Sequence, residues 1–514
     1  MTEREEADHT TGAVATWLLQ RGLPLGLAVL ILAQLASWVP QYLTWPYYAD
    51  HDVFASAARD WDAGRLPYRD SFCNNLPGTI YVFYLLGKAF GWGKTASFFA
   101  FDAALVAGFM ALIVVWGHRC LRAWLPGLIG ACVFLAYYLD LTYALTAQRD
   151  WHACALALGG LMTLQAWPGR SGRYASAVMM GTALLFRPQA IVFLPAYLLG
   201  TTAVAGWGLA FAATVLAGLS PLIFQGLLDD MIANVRLAAP GSTYYRTSLT
   251  SFVSELVKQL NPLRMVIVPL LVGLLGWKDE ARRRVVRPWL LATVGALVYK
   301  PMSPFPHVYL DHVLNVTLAI DTALLAWIAL GLDLSRGTRL ALVLLTLAPT
   351  AVIKPRFCNP GGSLHSLATL GHGGEPEAEP NGYRPTPGLP AAAYYRWSDY
   401  RSTLQWVREN TRPTTRVANM LREVPALTGP TGRLSVFPAE SVAWLKMVRR
   451  EDEARFAAEL EKTQDAVVVW IPDEVGLSKG FQTPLLDAIA RRRFRLAERF
   501  GAIEVWVLAD ADPS

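Results

Sequence analysis

Two aspartates and a histidine, Asp50-His51-Asp52, directly follow the first long apolar segment of the chain. An amphipathic run comes next and ends in the sequence GRLPYRD over residues 64–70. Polar and ionisable groups held against a bilayer are costly, so their presence there indicates a functional site. A carboxylate at this boundary can take a proton from a hydroxyl group, and Asp50 or Asp52 is the candidate general base.

Each of these polar residues also has a structural interpretation. Asp52 precedes the amphipathic run, where aspartate is a favoured helix N-cap. His51 either orients a carboxylate, binds a metal, or is a solvated interfacial side chain. Asp70 either pairs locally with Arg69 or Arg65 or helps to bind the acceptor.

Three cations, Arg149, Arg187 and Lys300, stand in short loops that we predict to lie on one side of the membrane. Arginine and lysine suit a phosphate group, arginine through two parallel hydrogen bonds. Snorkelling to lipid headgroups is the alternative and requires no ligand. His307 begins the string H-x-x-x-D-H, which either lines a polar cavity or holds a divalent metal. We predict no metal ligands and leave the ion as the open alternative.

The loop over residues 227–262 is long enough to cover a cavity as a lid, and Tyr245 and Arg246 within it are candidate substrate contacts. Gln148, Asp150 and His152 are candidates for the lining of the same cavity. The alternative for Asp150 is a simple ion pair with its neighbour Arg149.

The composition is that of a multi-pass membrane protein. Of the 514 residues, 53% are hydrophobic and only 17% charged, against roughly 25% charged residues in ordinary soluble domains. The net charge of +6 is better explained by arginines in short loops than by nucleic-acid binding. A membrane helix needs about 20 apolar residues. Eleven candidate spans are predicted: 23–44, 96–116, 125–143, 150–167, 174–186, 189–205, 208–226, 263–277, 286–299, 308–331 and 338–353.

The short loops also predict the orientation, because arginine and lysine accumulate on the cytoplasmic side. The basic set comprises Arg119, Arg122, Arg170, Arg173, Lys278, Arg282, Arg283, Arg284, Arg287, Arg336 and Arg339. The N-terminus is therefore predicted inside, and the segments 45–95, 227–262 and 354–514 outside. Proline at 188 leaves open whether 174–205 is one kinked span or two.

Four regions follow from these patterns. Residues 1–22 are a cytoplasmic tail, 23–353 the membrane part, and 354–395 a linker rich in glycine and proline. Residues 396–514 are predicted to form a small α/β domain without a phosphate-binding glycine loop. Its predicted elements are a helix over Ser398–Asn410 with Ser398 as N-cap, a strand over Arg416–Leu421, a helix over Ala439–Lys462, a strand over Asp465–Ile471, a helix over Thr483–Arg492 and a strand over Ala502–Leu508.

The order of features in the first loop resembles that of the GT-C glycosyltransferases. Most similar are bacterial relatives of the protein O-mannosyltransferases and of the aminoarabinose lipid A transferases. In these proteins an acid follows the first span, and residues 50–52 match it here. An amphipathic helix that ends in a PYRD-like turn comes next and is matched by residues 53–70. A proline-rich turn then leads into a second juxtamembrane helix and is matched by residues 75–78. Weaker matches follow at 146–150, 185–189 and around His307.

The resemblance departs at one point, since many members carry an Asp-Glu pair where this chain has Asp50-His51-Asp52. Which aspartate is equivalent therefore stays open. The resemblance implies an integral enzyme of a bacterial-type plasma membrane and of cell-envelope glycosylation. Such an enzyme moves a sugar from a polyprenyl-phosphate donor to a lipid, glycan or protein at the outer face.

The chemistry of the candidate residues is consistent with that reaction. One carboxylate base without a second carboxylate nucleophile predicts inversion at the anomeric carbon, and no nucleotide cofactor is required. Two alternatives remain. A transporter or flippase of lipid-linked sugar predicts polar residues in the middle of spans, and Asp102 and Asp321 are the exceptions to otherwise apolar spans. A non-catalytic scaffold would place the function in the C-terminal domain.

Overall fold

A computed structural model describes most of the chain. The described residues are 12–73, 75–201, 203–237, 249–260, 263–277, 279–302, 310–348, 396–421, 426–438, 453–471 and 484–509. The predicted linker, His307, Tyr245 and Arg246 lie outside the described residues.

Helices dominate the part of the chain before the linker. In order they are α1 (Gly12–Tyr42), α2 (Ala49–Asp62), α3 (Gly78–Phe90), α4 (Thr95–Cys120), α5 (Trp124–Leu139), α6 (Arg149–Ala166), α7 (Arg170–Phe186), α8 (Leu194–Gly200), α9 (Val204–Phe224), α10 (Leu228–Leu237), α11 (Leu249–Leu260), α12 (Leu263–Gly276), α13 (Glu280–Tyr299), α14 (Asp311–Leu330) and α15 (Arg336–Thr346). A 3₁₀ helix, Pro188–Phe193, leads into α8.

Ten of the predicted spans overlap one α-helix each over their described residues, whereas the predicted span 189–205 is divided between the 3₁₀ helix, α8 and the first residues of α9. Among the described residues, four are long and apolar enough to cross a membrane, namely α1, α4, α9 and α14. The protein is therefore an integral membrane protein, and the total of eleven spans stays a prediction. The segment 174–205 is broken after Phe186, because Pro188 cannot donate a backbone hydrogen bond.

Two further helices, α2 and α3, stand between α1 and α4, as the first-loop pattern predicts. The start of α2 is closed by His51, whose Nδ1 accepts from the backbone N–H of Tyr48 at 3.2 Å. Asp50 and Asp52 lie in its first turn, where the helix dipole favours negative charge. Gly64 ends the segment in the left-handed region, at φ 88°, which glycine adopts without a steric penalty.

The C-terminal region holds a five-stranded sheet in the order β2-β1-β3-β5-β4. Its strands are β1 (Arg416–Asn419), β2 (Leu434–Ser435), β3 (Ala466–Trp470), β4 (Phe494–Phe500) and β5 (Ile503–Leu508). Strand β1 pairs in parallel with β2 and β3, whereas β5 runs antiparallel to β3 and β4. The helices around it are α16 (Trp397–Asn410), α17 (Thr428–Thr431), α18 (Glu453–Lys462) and α19 (Pro484–Arg493).

This region confirms the predicted alternation of strands and helices and adds three elements that the sequence did not predict: β2, β4 and α17. Ser398 is not the N-cap of α16. The cap is Arg396, whose backbone N–H donates to Asp399, so the helix begins one residue earlier than predicted. Of the helix predicted over Ala439–Lys462, only Glu453–Lys462 lies in the described part.

Candidate active site

Asp50 lies one residue inside the N-terminus of α2 and is partly exposed. Within the described part of the chain its carboxylate makes no hydrogen bond or ion pair. The adjacent His51 is buried, and burial lowers its pKa to about 4, so its imidazole is neutral at pH 7. Of the two candidate bases, Asp50 is therefore the one that a substrate can reach, since Asp52 is completely buried.

Arg149 approaches the same face of α2. Its guanidinium lies 5.1 Å from the ring centre of Phe54, which follows Asp50 by four residues and thus stands one turn further along that face. The loop before α6 is tied to the start of α2, because the hydroxyl of Tyr143 donates to the carbonyl of Tyr47 at 2.6 Å. A candidate base and a candidate phosphate-binding cation are thereby brought to one helix face.

Arg187 is held by Asp150 through two parallel hydrogen bonds. Nε donates to one carboxylate oxygen at 2.8 Å, and a terminal nitrogen donates to the other at 2.7 Å. Asp150 also accepts from the hydroxyl of Tyr299 at 3.0 Å. The predicted alternative, a simple pair of Asp150 with Arg149, is not the main contact.

A chain of contacts joins the PYRD turn to Arg187. Tyr68 has a positive φ of 68°, which is rare for a bulky residue and is typical of functional sites. Its hydroxyl donates to the carbonyl of Asn75 at 2.9 Å, and the side chain of Asn75 accepts from Arg187 at 3.3 Å. Close by, a Cβ on Gly78 would come within 2.7 Å of the carbonyl oxygen of Leu185. Only glycine allows α3 to begin against the end of α7.

Lys300 forms an ion pair with Asp311 at 2.8 Å, across the gap between α13 and α14. The next residue, His312, is buried and bonded at both ring nitrogens, to the hydroxyl of Tyr137 and to the carbonyl of Leu145. His312 is therefore engaged in structure. Within the described residues no group of three or more His, Cys, Asp or Glu could hold a metal ion.

Asp52 has an environment unlike that of Asp50. It is completely buried and accepts from the backbone N–H groups of Leu427 at 2.9 Å and of Gly429. The hydroxyl groups of Thr428 and Ser56 donate to the same carboxylate at 3.1 and 3.3 Å. Asp52 thus caps the start of α17 in the C-terminal region, which is a different helix from the one that it was predicted to cap.

Further contacts surround this junction of α2 and its following turn with the C-terminal region. Arg65 donates to the carbonyl of Ser435 at 2.9 Å, and Arg59 donates to that of Gly432 at 3.3 Å. The backbone N–H of Phe72 donates to the carbonyl of Pro438. The helix that carries Asp50 therefore contacts both the membrane helices and the sheet region.

The remaining predicted residues have local roles. Asp70 is exposed, and its carboxylate accepts from the backbone N–H of Leu66 at 2.7 Å, which closes the PYRD turn. Arg69 pairs with Asp230 of α10 rather than with Asp70. Gln148 donates to the carbonyl of Ala144 at 2.8 Å.

Asp102 of α4 is buried and bonded to four side chains. They are Tyr42 at 2.7 Å, Tyr138 at 2.5 Å, Trp151 at 3.1 Å and His152 at 2.8 Å. This cluster joins α1, α4, α5 and α6 directly below the first loop. The sequence showed Asp102 only as an acid inside a span. The aromatic partners carry no such signal, because tryptophan and tyrosine are common at membrane interfaces.

No protein-family model matches the chain, and no curated protein matches it. Solved structures do match. The chain is similar to ArnT from Cupriavidus metallidurans bound to undecaprenyl phosphate, with a TM-score of 0.56 at 14% sequence identity, over 95% of this chain and 99% of that one. The apo state of ArnT matches with a TM-score of 0.54 at 15% identity and the same coverage. ArnT is a GT-C aminoarabinose lipid A transferase. The resemblance predicted from the first loop is thereby confirmed at the level of the fold, which this chain shares with ArnT.

Proposed function

We propose that this protein is a membrane glycosyltransferase that takes a sugar from a polyprenyl-phosphate donor, with Asp50 as the general base. The observation that carries the proposal is the contrast between two neighbouring carboxylates. Asp50 is accessible and without a protein partner among the described residues, whereas Asp52 is buried and bonded to four donors. Arg149 reaches the same face of α2 as Asp50.

In the proposed reaction the carboxylate of Asp50 takes the proton from an acceptor hydroxyl. The hydroxyl oxygen then forms a bond to the anomeric carbon, and the bond from that carbon to the phosphate oxygen breaks. The polyprenyl phosphate leaves with the electron pair, and Arg149 stabilises the developing anion. A single displacement of this kind inverts the anomeric carbon.

The lipid carrier is supported by the fold comparison, because ArnT of the same fold was crystallised with undecaprenyl phosphate. The acceptor of this chain is a lipid, a glycan or a protein. Lys300 and Arg187 are proposed to extend the positive field at the site although each is paired with an aspartate, Lys300 with Asp311 and Arg187 with Asp150. His307, Tyr245 and Arg246 stay proposed substrate contacts.

The site is proposed to lie at the outer face of a bacterial plasma membrane, with the N-terminus in the cytoplasm. The distribution of arginines between the short loops supports this orientation. A cysteine introduced after residue 509 should react with a membrane-impermeant maleimide in intact cells. Protection of that cysteine would overturn the orientation.

The transporter alternative gains no support from Asp102. Four side-chain donors occupy its carboxylate, so the residue is part of a closed network and not of an open polar path.

Turnover tests the proposal directly. The purified protein is incubated with a panel of undecaprenyl-phosphate-linked sugars and a membrane extract as the source of acceptor, and released undecaprenyl phosphate is measured. We expect release with one donor of the panel, and a loss of about 10²- to 10⁴-fold for Asp50→Asn, the range for removing a general base. Equal release by the wild type and Asp50→Asn would overturn the assignment of the base.

A further inference from the structure

A cavity of about 750 Å³ lies between the start of α1, the start of α5 and the turn from α14 to α15. Pro24, Ala28, Val114 and Leu128 form apolar parts of its wall, and Arg336 and Arg339 form basic parts. A wall with an apolar part and a basic part suits a molecule that has both an acyl chain and an anionic group.

The cavity is at the opposite end of the helix bundle from Asp50. Helix α1 begins at the cavity and ends at Tyr42, a few residues before Asp50. Helix α14 begins beside Lys300, at Asp311, and reaches the cavity with Leu330. A helix of 20 residues is about 30 Å long, so the two places are separated by about one membrane thickness. The cavity is therefore separate from the proposed active site with Asp50, Arg149 and Lys300.

The two arginines have unused hydrogen-bonding capacity. Among the described residues, neither guanidinium makes a hydrogen bond or an ion pair. Nε of Arg339 is buried without a hydrogen-bond partner. A buried donor without an acceptor costs free energy, and an anionic oxygen in the cavity would remove that cost.

We propose that this cavity binds one anionic glycerophospholipid from the adjacent leaflet. The phosphodiester accepts hydrogen bonds from Arg336 and Arg339, and an acyl chain lies along Ala28 and Leu128. A phospholipid is favoured over a free phosphate, because most of the remaining wall is apolar. The proposal is independent of the transferase activity.

Native mass spectrometry of the full-length protein in detergent tests it, with phosphatidylglycerol and phosphatidylcholine of the same chain length as probes. We expect phosphatidylglycerol to be retained at least about tenfold more tightly. The double variant Arg336→Gln/Arg339→Gln should lose this preference. The matched control is Arg170→Gln/Arg173→Gln, because this pair has the same spacing, also begins a helix, and does not line the cavity. The control should bind like the wild type.

Two further measurements separate the sources of the phosphate group. Ala28→Phe fills the apolar part without changing any charge and should weaken lipid retention, with an unchanged thermal unfolding temperature. Glycerol 3-phosphate has the headgroup chemistry without the chains and should not compete at equal concentration. The proposal is overturned by equal losses in the two arginine pairs, by equal binding of both lipids, or by competition from glycerol 3-phosphate as strong as that from the lipid.

Discussion

The carboxylate of Asp52 accepts the backbone N–H of Gly429, a residue 377 positions later in the chain. The glycine has no space for a side chain, since a Cβ there would come within 2.8 Å of Ala55 and 2.9 Å of the Tyr47 ring. The two residues therefore form a tight junction between the first-loop helix and the C-terminal region. The aspartate two residues from the proposed base is a structural partner of that region.

This junction predicts different phenotypes for neighbouring aspartates. Asp52→Asn should lower the unfolding temperature, because the amide NH₂ would stand opposite a backbone N–H that now has an acceptor. Hydrogen bonds to charged groups contribute roughly 1.5–3 kcal/mol, so we expect a loss of this order. Asp50→Asn should lower the unfolding temperature much less, because only the interaction of about 0.3–1 kcal/mol with the helix dipole is lost. Thermal scanning in detergent checks both, and equal unfolding temperatures of the two variants would contradict the assigned roles.

The stability of the junction should depend on pH. Burial raises the pKa of Asp52 to about 6, in spite of the four donors, and the unfolded chain has a pKa of about 3.9. The folded state thus binds the proton more tightly, and this contribution is fully present below about pH 4 and is lost as the pH rises through about 6. The difference in unfolding temperature between wild type and Asp52→Asn should therefore shrink from pH 4 to pH 7. A difference that grows over this range would show that the ionised form is preferred.

Gly429→Ala tests the same junction from the other side. The added methyl group must displace Ala55, Tyr47 or the Asp52 carboxylate, and overpacking of this kind costs roughly 1–3 kcal/mol. The control is Gly337→Ala in α15, where a Cβ meets no atom within 4 Å. We expect the unfolding temperature to fall for Gly429→Ala and not to fall for Gly337→Ala. Unchanged unfolding of Gly429→Ala would mean that α17 does not sit against Asp52.

Arg187 and Asp150 should behave as a coupled pair. Arg187→Gln leaves a buried carboxylate without its main partner, and the loss for such a change is roughly 3–5 kcal/mol. Asp150→Asn/Arg187→Gln removes both charges and should recover part of the stability. Unfolding temperatures of the two single variants and the double variant give the coupling. Additive losses would show that the two side chains act independently.

Arg149 should act on ligand binding. Arg149→Gln removes the positive charge beside Phe54, and the affinity for undecaprenyl phosphate should fall about 10- to 100-fold, the loss of one charge-assisted hydrogen bond. Binding is measured with the lipid itself, so that the result does not depend on the identity of the sugar. The charge-matched control is Arg170→Gln, which lies at the opposite end of the helix bundle from Asp50. This variant should bind undecaprenyl phosphate with the affinity of the wild type.

The amino-acid sequence alone was sufficient for the helical membrane part, for the two helices of the first loop and for the position of the sheet region. Long apolar runs and short basic loops are local patterns, and helices follow from local hydrogen bonds and propensities. The fold shared with ArnT was likewise expected, because residues 50–78 resemble the first loop of the GT-C glycosyltransferases. The break at Pro188 followed from the chemistry of one residue.

Only the tertiary structure separated Asp50 from Asp52. Both occupy the first turn of one helix, and their different burial depends on α17, a four-residue helix formed far along the chain without a sequence signal. The same is true of Arg187. The sequence predicted a cation available to a phosphate, whereas in the structure Arg187 donates to Asp150 of another helix. Neighbours in sequence share their local pattern, whereas the partner that removes one of them from solvent comes from a distant segment, which periodicity and spacing do not encode.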